Sequence, residues 1–496
     1  MSSIKNILFN KKLFVVLGLI ILLGASSYLR FVNLGYSEFQ DDEKKTRIQP
    51  LGDDTVLEFL LSQRKGPMQF LVAYIPLNYF KVDGYVNELA VRLPFTIASL
   101  LSVFVLYAFI FKVTKSHLAA FLVASVYSTN GFVVGFSRIA QYQNLNLLFS
   151  FLALYFFSDL EIKKDNFRWS SLLGTVFISL SILSHWDAFF YIVPLVYFLI
   201  KFLLRKDVTK NEKLINFSIW TVTTLVLVVP FVVSYITNLA SQQSGNVDYL
   251  FRRVGASGSE LLRHKRIFEL YNPVITIWFY LVGILLAIPF FKKTWVFLLW
   301  FVFDLLMIKF FMLTPKTHIY NYVIPAIITS CLGIYYLGNF LYKKLPTKFK
   351  KMTFILPVLI LIPVVLLYVQ SYQMFVDHSK GEYPYDAKKI LWFDNPILID
   401  NEIITFGFPH YRAWKEVDKH MDTACRYITN ESKGISQIYV TALYGDTDGC
   451  SYIVRIKRPF YTKAQDVKYP GLKNSKLVYK YVNSLGETVT QVYRMK

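Results

Sequence analysis

Three consecutive acids, Asp41, Asp42 and Glu43, lie in the stretch SEFQDDEKKTRIQP (Ser37–Pro50), just ahead of Lys44, Lys45 and Arg47. Carboxylates grouped beside cations have three uses. They make a solvated charged turn, they hold a hard divalent cation such as Mg²⁺ or Mn²⁺ through oxygen, or one of them takes a proton from a hydroxyl nucleophile. Position favours the third use: the cluster follows the apolar run Leu13–Leu34 directly, so the acids stand beside a membrane surface. Cations occur at Lys65 and Arg138, and a basic group, Arg252, Arg253, Arg263, Lys265 and Arg266, lies further on. Fixed cations of this kind stabilise charge on a departing phosphate. Trp186 and Asp187 in SHWDAFFY, and His318 and Tyr320 in HIYNYVIPAI, suit a sugar ring and its hydroxyls. The competing reading for this second set is an interfacial aromatic belt.

The elements that must position these residues are membrane helices. The chain has 496 residues, 54% hydrophobic and 17% aromatic, with mean hydropathy +0.39, against roughly 45–50% apolar residues in a soluble domain. A membrane helix needs about 20 apolar residues. Such runs predict eleven spans, at 13–34, 89–111, 118–136, 142–160, 168–184, 186–204, 215–238, 273–291, 294–313, 317–342 and 351–372. The first run is long and lacks a small-x-small cleavage site, so it reads as a retained span. With the N-terminus cytoplasmic, nearly every short basic loop, such as EIKKDNFR and YKKLPTKFKK, falls on one side, as the positive-inside rule requires. The plasma membrane is then crossed with loop 35–88, loop 239–272 and the C-terminal segment outside. A formal net charge of +21 is largely that of the cytoplasmic loops. No zinc-finger spacing or continuous basic helix accompanies it, which argues against a nucleic-acid partner and for anionic membrane lipids.

Residues 373–496 lose the long apolar runs and read as a small extracytoplasmic α/β domain. IITFGF, ISQIYVTALYG, CSYIVRI, KLVYKYV and TVTQVYRM have strand character, and RAWKEVDKHMDTACRYI has helical spacing. Cys331 falls within a span. Cys425 and Cys450 both fall in this domain, where they are either a disulfide or two buried thiols.

The order of motifs resembles the polytopic GT-C glycosyltransferases, in particular the superfamily of dolichyl-phosphate-mannose protein mannosyltransferases and lipid A aminoarabinose transferases. The residues that carry the resemblance are Asp42-Glu43 after the first span, Lys65-Gly66-Pro67 where relatives have KPP or HPP, Arg92-Leu93-Pro94, Ser137-Arg138 and His318–Ile327. Gly66 replaces the first Pro of KPP, and Gln141 and Gln143 stand where many relatives have Arg and Asp. The resemblance implies an α-helical polytopic fold with juxtamembrane helices in loop 35–88 and a membrane domain over 1–372. It also implies a polyprenyl-phosphate sugar donor, no required metal or other cofactor, and Asp42 as the matching catalytic Asp. Glu43 is then its neighbour, Asp41 the register alternative, Lys65 the leading phosphate ligand and Arg138 the second.

The chemistry agrees. A sugar on a polyprenyl phosphate departs with a stable phosphate, so the transfer does not need the protonating acid of a glycosidase. One base suffices, and a single displacement inverts the anomeric centre. The expected function is transfer of a sugar from this donor to a hydroxyl acceptor on protein, lipid or envelope glycan, with residues 373–496 positioning the acceptor. Two rival classes are a flippase for isoprenoid-linked lipids and a non-catalytic envelope-assembly subunit. The absence of an internal repeat argues against the flippase.

Overall fold

The computed structural model describes residues 11–40, 42–50, 55–63, 66–163, 165–240, 275–312, 316–346, 355–379, 381–382, 389–390, 393–394, 407–445, 449–459 and 469–495. Asp41, Lys65, Arg252, Arg253, Arg263, Lys265 and Arg266 lie outside the described residues.

Apolar runs become helices because a chain in hydrocarbon must satisfy its own backbone groups. The membrane helices are α1 (Lys11–Phe31), α2 (Glu88–Thr114), α3 (His117–Thr129), α4 (Gly131–Ser137), α5 (Gln143–Phe157), α6 (Phe167–Ser184), α7 (Ile192–Leu203), α8 (Lys210–Ala240), α9 (Ile275–Ala287), α10 (Phe291–Phe311), α11 (Tyr320–Lys344) and α12 (Ile355–Ser371). Among the described residues, eight helical stretches are long and apolar enough to cross a membrane, or nine if one bent pair is a single span.

Three of the expected spans have a different form. The run 118–136 is split into α3 and α4, bent by 61°. Asn130 makes the break: its backbone is extended, and its Oδ1 accepts the Phe132 N–H at 3.0 Å, opening a new helix. The runs 273–291 and 294–313 are joined through the 3₁₀ turn Ile288–Phe290 into one 36-residue stretch, Thr276–Phe311. Both halves pack against α11. At that crossing the backbones nearly touch, since a Cβ on Gly333 would lie 2.2 Å from the Gly283 carbonyl oxygen. The last membrane-type helix ends at Ser371 and widens into a π turn, Tyr372–Val376.

The first loop carries two short helices, Val56–Ser62, opened by a Thr55–Glu58 capping box, and Met68–Tyr79. Between them Gly66 has φ +75°, and a Cβ there would lie 2.1 Å from the Leu183 carbonyl oxygen. Proline, locked near −65°, cannot occupy that position, which explains Gly66 in place of the motif's first Pro.

The C-terminal segment forms a five-stranded sheet from β1 (Arg426–Thr429), β2 (Leu443–Tyr444), β3 (Ser451–Ile456), β4 (Lys476–Val482) and β5 (Thr488–Arg494), in the order β2-β1-β3-β5-β4. β1 pairs in parallel with β2 and β3, and β5 runs antiparallel to β3 and β4. CSYIVRI, KLVYKYV and TVTQVYRM are strands as expected. ISQIYVTALYG is a strand only at Leu443–Tyr444; Lys433–Tyr439 is helical, because Ile435 and Tyr439, four residues apart, are buried together on one face. The helix in RAWKEVDKHMDTACRYI is confined to Trp414–Lys419, and its tail feeds β1. Residues 403–406 of IITFGF lie outside the described residues. Cys425 and Cys450 form a disulfide with Cα atoms 4.9 Å apart, tying the entrances of β1 and β3, while Cys331 is buried in α11.

This segment grips the first loop. Glu38 accepts backbone N–H groups from Arg412 at 2.7 Å and Trp414 at 2.6 Å. The Gln40 amide closes a two-way pair, accepting from Gly407 N–H and donating to the Phe408 carbonyl, both at 2.9 Å. The Tyr439 hydroxyl accepts the Phe39 N–H at 2.6 Å.

Burial pushes the Glu38 carboxyl up to about 8, against the pull of the two N–H groups. A raised carboxyl pKa means the folded state holds a proton that the unfolded chain has lost. Its contribution is therefore full below about 4.5 and declines as pH rises to about 8. Comparing thermal unfolding of wild type with Glu38→Gln across this window should show the stability difference shifting against wild type by up to about 1.4 kcal/mol per pH unit. His410, held neutral by burial and by Arg412, has the opposite slope but contributes to both proteins. A flat difference curve would show that Glu38 stays ionised in the fold.

Candidate active site in the first loop

Arg92, one turn into α2, organises the loop. Its Nε and Nη2 donate to Glu43 Oε1 and Oε2, both at 2.8 Å. Nη1 donates to the carbonyls of Leu34 at 2.9 Å and Ser37 at 2.7 Å, and Nη2 also donates to that of Glu38 at 2.9 Å. All five guanidinium N–H groups are thereby engaged. The two side chains are 1% and 0% exposed.

Glu43 is equally saturated. Besides Arg92, its Oε1 accepts the Ala140 N–H at 2.9 Å and its Oε2 the Gln40 N–H at 2.8 Å. Four donors on two oxygens leave no lone pair directed at a substrate. Asp42, one residue earlier, differs: its side chain keeps 12% exposure. Oδ2 accepts from the Gln141 amide at 2.8 Å, and Oδ1 faces the ammonium of Lys45 at 2.5 Å. Lys45 is itself 42% exposed at the side chain, so it can leave without breaking a core contact. Gln141, which departs from the relatives' residue, thus orients Asp42.

Arg138, the C-cap of α4, points its Nη1 at the last carbonyls of α1, donating to Leu29 at 3.0 Å, Arg30 at 3.3 Å and Val32 at 2.9 Å. These contacts lock α4 to α1.

A second polar cluster adjoins the first. Asp187 accepts from His318 Nδ1, 2.9 Å from both carboxylate oxygens, and from the Tyr320 hydroxyl at 2.8 Å. His185 stacks on Tyr142 with ring centroids 3.8 Å apart, so the Gln141–Tyr142 segment joins the two clusters. Trp186 does not join them: it packs on Phe231 and Tyr235 of α8.

Asp42, Glu43, Arg138, Asp187, His318 and Tyr320 were legible as candidates. The organising role of Arg92, the clamp at Glu38, and the parts of Gln141, Tyr142 and His185 were not. Their only signal was adjacency to quoted motifs, RLP, QDDE, SRIAQY and SHWDA.

With this geometry established, the chain was compared with known proteins. Residues 65–236 match the family model for dolichyl-phosphate-mannose-protein mannosyltransferase. The structure resembles ArnT from Cupriavidus metallidurans bound to undecaprenyl phosphate, with TM-score 0.52 and 11% identity over 98% of each chain. It also resembles the same protein in the apo state, with TM-score 0.51 and 12% identity over 96% of this chain and 97% of that one. The S. cerevisiae protein O-mannosyltransferase complex bound to its sugar donor aligns over 52% of this chain and 38% of that one, with TM-score 0.35 and 12% identity. No curated protein matches by sequence.

Breaking one member of a buried ion pair strands the other's charge, at about 3–5 kcal/mol. Arg92→Ala and Glu43→Ala should each lose that much in chemical denaturation of detergent-solubilised protein. Arg92→Lys should recover little, since an ammonium offers three donors where five are used. Near-wild-type stability in Arg92→Lys would mean that charge alone, not the fork, holds the loop.

Proposed function

We propose that this multi-pass membrane chain, which has the GT-C fold of the protein mannosyltransferase and ArnT superfamily and its family signature over residues 65–236, transfers one sugar from a polyprenyl-phosphate donor to a hydroxyl acceptor. Transfer takes place at the extracytoplasmic face, with the N-terminus inside and residues 373–496 outside. The observation that carries this reading is how adjacent acids are held: Glu43 is saturated by Arg92 and two backbone N–H groups, while Asp42 is oriented by the Gln141 amide and paired with the half-exposed Lys45. A merely solvated turn does not fix two neighbouring carboxylates on buried donors.

In the mechanism, Gln141 donates to Asp42 Oδ2 and fixes the plane of the carboxylate. Oδ1 then receives the acceptor's hydroxyl proton once Lys45 swings away. The acceptor oxygen bonds to the anomeric carbon as the bond from that carbon to the phosphate oxygen breaks, and the electron pair leaves with the phosphate. One displacement at one face inverts the centre. Lys45, released towards the incoming anion, and Lys65 meet the phosphate charge. Arg138 supports this site from its anchorage on α1, with Nη1 committed to carbonyls and only its other N–H groups available to an anion. Arg252 and Arg253 are secondary candidates for the phosphate. The Gln40, Phe39 and Glu38 contacts make the C-terminal segment a support of the catalytic loop as well as a platform for the acceptor.

Detergent-solubilised protein incubated with a panel of polyprenyl-phosphate sugars tests the class, since turnover without vesicles excludes pure transport. Asp42→Asn should bind donor yet lose about 10²–10⁴-fold in single-turnover transfer. Lys65→Ala should weaken donor binding and turnover together. Asp41→Asn is the register control. If it is inactive while Asp42→Asn turns over normally, the base is Asp41. If both turn over normally, the acids are only a turn.

A further inference from the structure

We propose that His185, Asp187 and His318 form a binding site for a zinc-type divalent transition-metal ion, joining the α6–α7 turn to the start of α11. His185 is the C-cap of α6 and opens the Trp186–Tyr191 turn, of which Asp187 is the second residue. His318 lies in the turn Lys316–Ile319, 131 residues further along the chain. One ligand atom from each, His185 Nδ1, an Asp187 carboxylate oxygen and His318 Nδ1, lie within 4.8 Å of one another. Ligands about 2.0–2.1 Å from a tetrahedral zinc stand roughly 3.3 Å apart. The separations here, 3.0 Å from His185 Nδ1 to Asp187 Oδ1 and 2.9 Å from His318 Nδ1 to the same oxygen, are a small adjustment away.

His185 Nδ1 lies 3.0 Å from both the Asp187 backbone N–H and Asp187 Oδ1, so an ion bound there takes the place of the proton that otherwise joins imidazole and carboxylate.

Burial adds a second reason. Asp187 and His318 are 4% and 7% exposed, and among the described residues the ion-pair partners of Asp187 are the imidazoles of His185 and His318. A divalent ion supplies the counter-charge that these imidazoles give only when protonated. The Tyr320 hydroxyl, donating to Oδ2 at 2.8 Å, leaves Oδ1 for the ion and supplies the outer hydrogen bond that ligating carboxylates characteristically have.

Two imidazoles and one carboxylate suit zinc and its first-row neighbours rather than Mg²⁺ or Ca²⁺, which take oxygen ligands. Three protein ligands leave a fourth position for water. Binding displaces the His318 Nδ1 proton to solvent. Its structural effect is to pin His185, on which Tyr142 stacks, and so to steady Gln141, which holds Asp42. Metal binding stands by itself; only this last link rests on the glycosyltransferase reading.

The test uses full-length protein without a polyhistidine tag, stripped with chelator and then given Zn²⁺ or Co²⁺ alone. Wild type should retain one metal per chain by elemental analysis, show the absorption of four-coordinate cobalt, and unfold at higher temperature when loaded. Asp187→Asn and His318→Gln should lose the metal, and Tyr320→Phe should bind about 10–100-fold more weakly. Folded wild type that retains neither ion, or retention unchanged in both ligand variants, overturns the proposal. If those variants do not fold, the cobalt spectrum of wild type and the Tyr320→Phe affinity decide. Donor turnover measured in parallel separates failure of this site from failure of the transferase reading.

Discussion

The contact between Arg92 and Glu43 is a buried ion pair in a segment with little other reason to be ordered. Among the described residues, loop 35–50 has no strand and one 3₁₀ turn, Glu43–Thr46. A guanidinium that receives three loop carbonyls and a carboxylate substitutes for the missing secondary structure. Because Glu43 also accepts the Ala140 N–H, the same pair joins the loop to the segment that follows α4. The pair does not contribute much net stability by being charged, because desolvating both partners offsets most of their attraction. Its contribution is geometric: it permits one arrangement of Asp42 relative to Gln141.

Around this centre the molecule is built from mutual supports rather than independent parts. Residues 407–414 run between the first loop and α4. They come so close that a Cβ on Gly407 would lie 2.2 Å from the Gly135 carbonyl oxygen. Glu38 and Gln40 reach into that segment from the loop, and Arg138 returns from the end of α4 to α1. The proposed base, Asp42, needs such over-determination, because a small misplacement of a base costs more rate than a small loss of stability.

Of the three positions that depart from the expected motifs, Gly66 and Gln141 have physical accounts. Gly66 allows the left-handed backbone by which the short helix Met68–Tyr79 enters under Leu183. Gln141 replaces a charge by an amide that still donates to Asp42, keeping orientation while removing a full charge from the carboxylate's surroundings.

Much of this was readable in the amino-acid order. Membrane class follows from apolar runs, because the bilayer penalises unsatisfied polar groups one segment at a time. The candidate acids follow from their adjacency to the first run, and strands such as Ser451–Ile456 from local alternation. Tertiary structure decided what depends on distant partners. Residues 433–439 are a helix because the neighbouring surface buries Ile435 with Tyr439, overriding strand-like composition. That Glu43 is the acid saturated by Arg92, Ala140 and Gln40 depends on distant partners, which no local pattern reveals. The meeting of His185 and Asp187 with His318 spans 131 residues, and only the packing of α6, α7 and α11 brings those side chains within bonding reach.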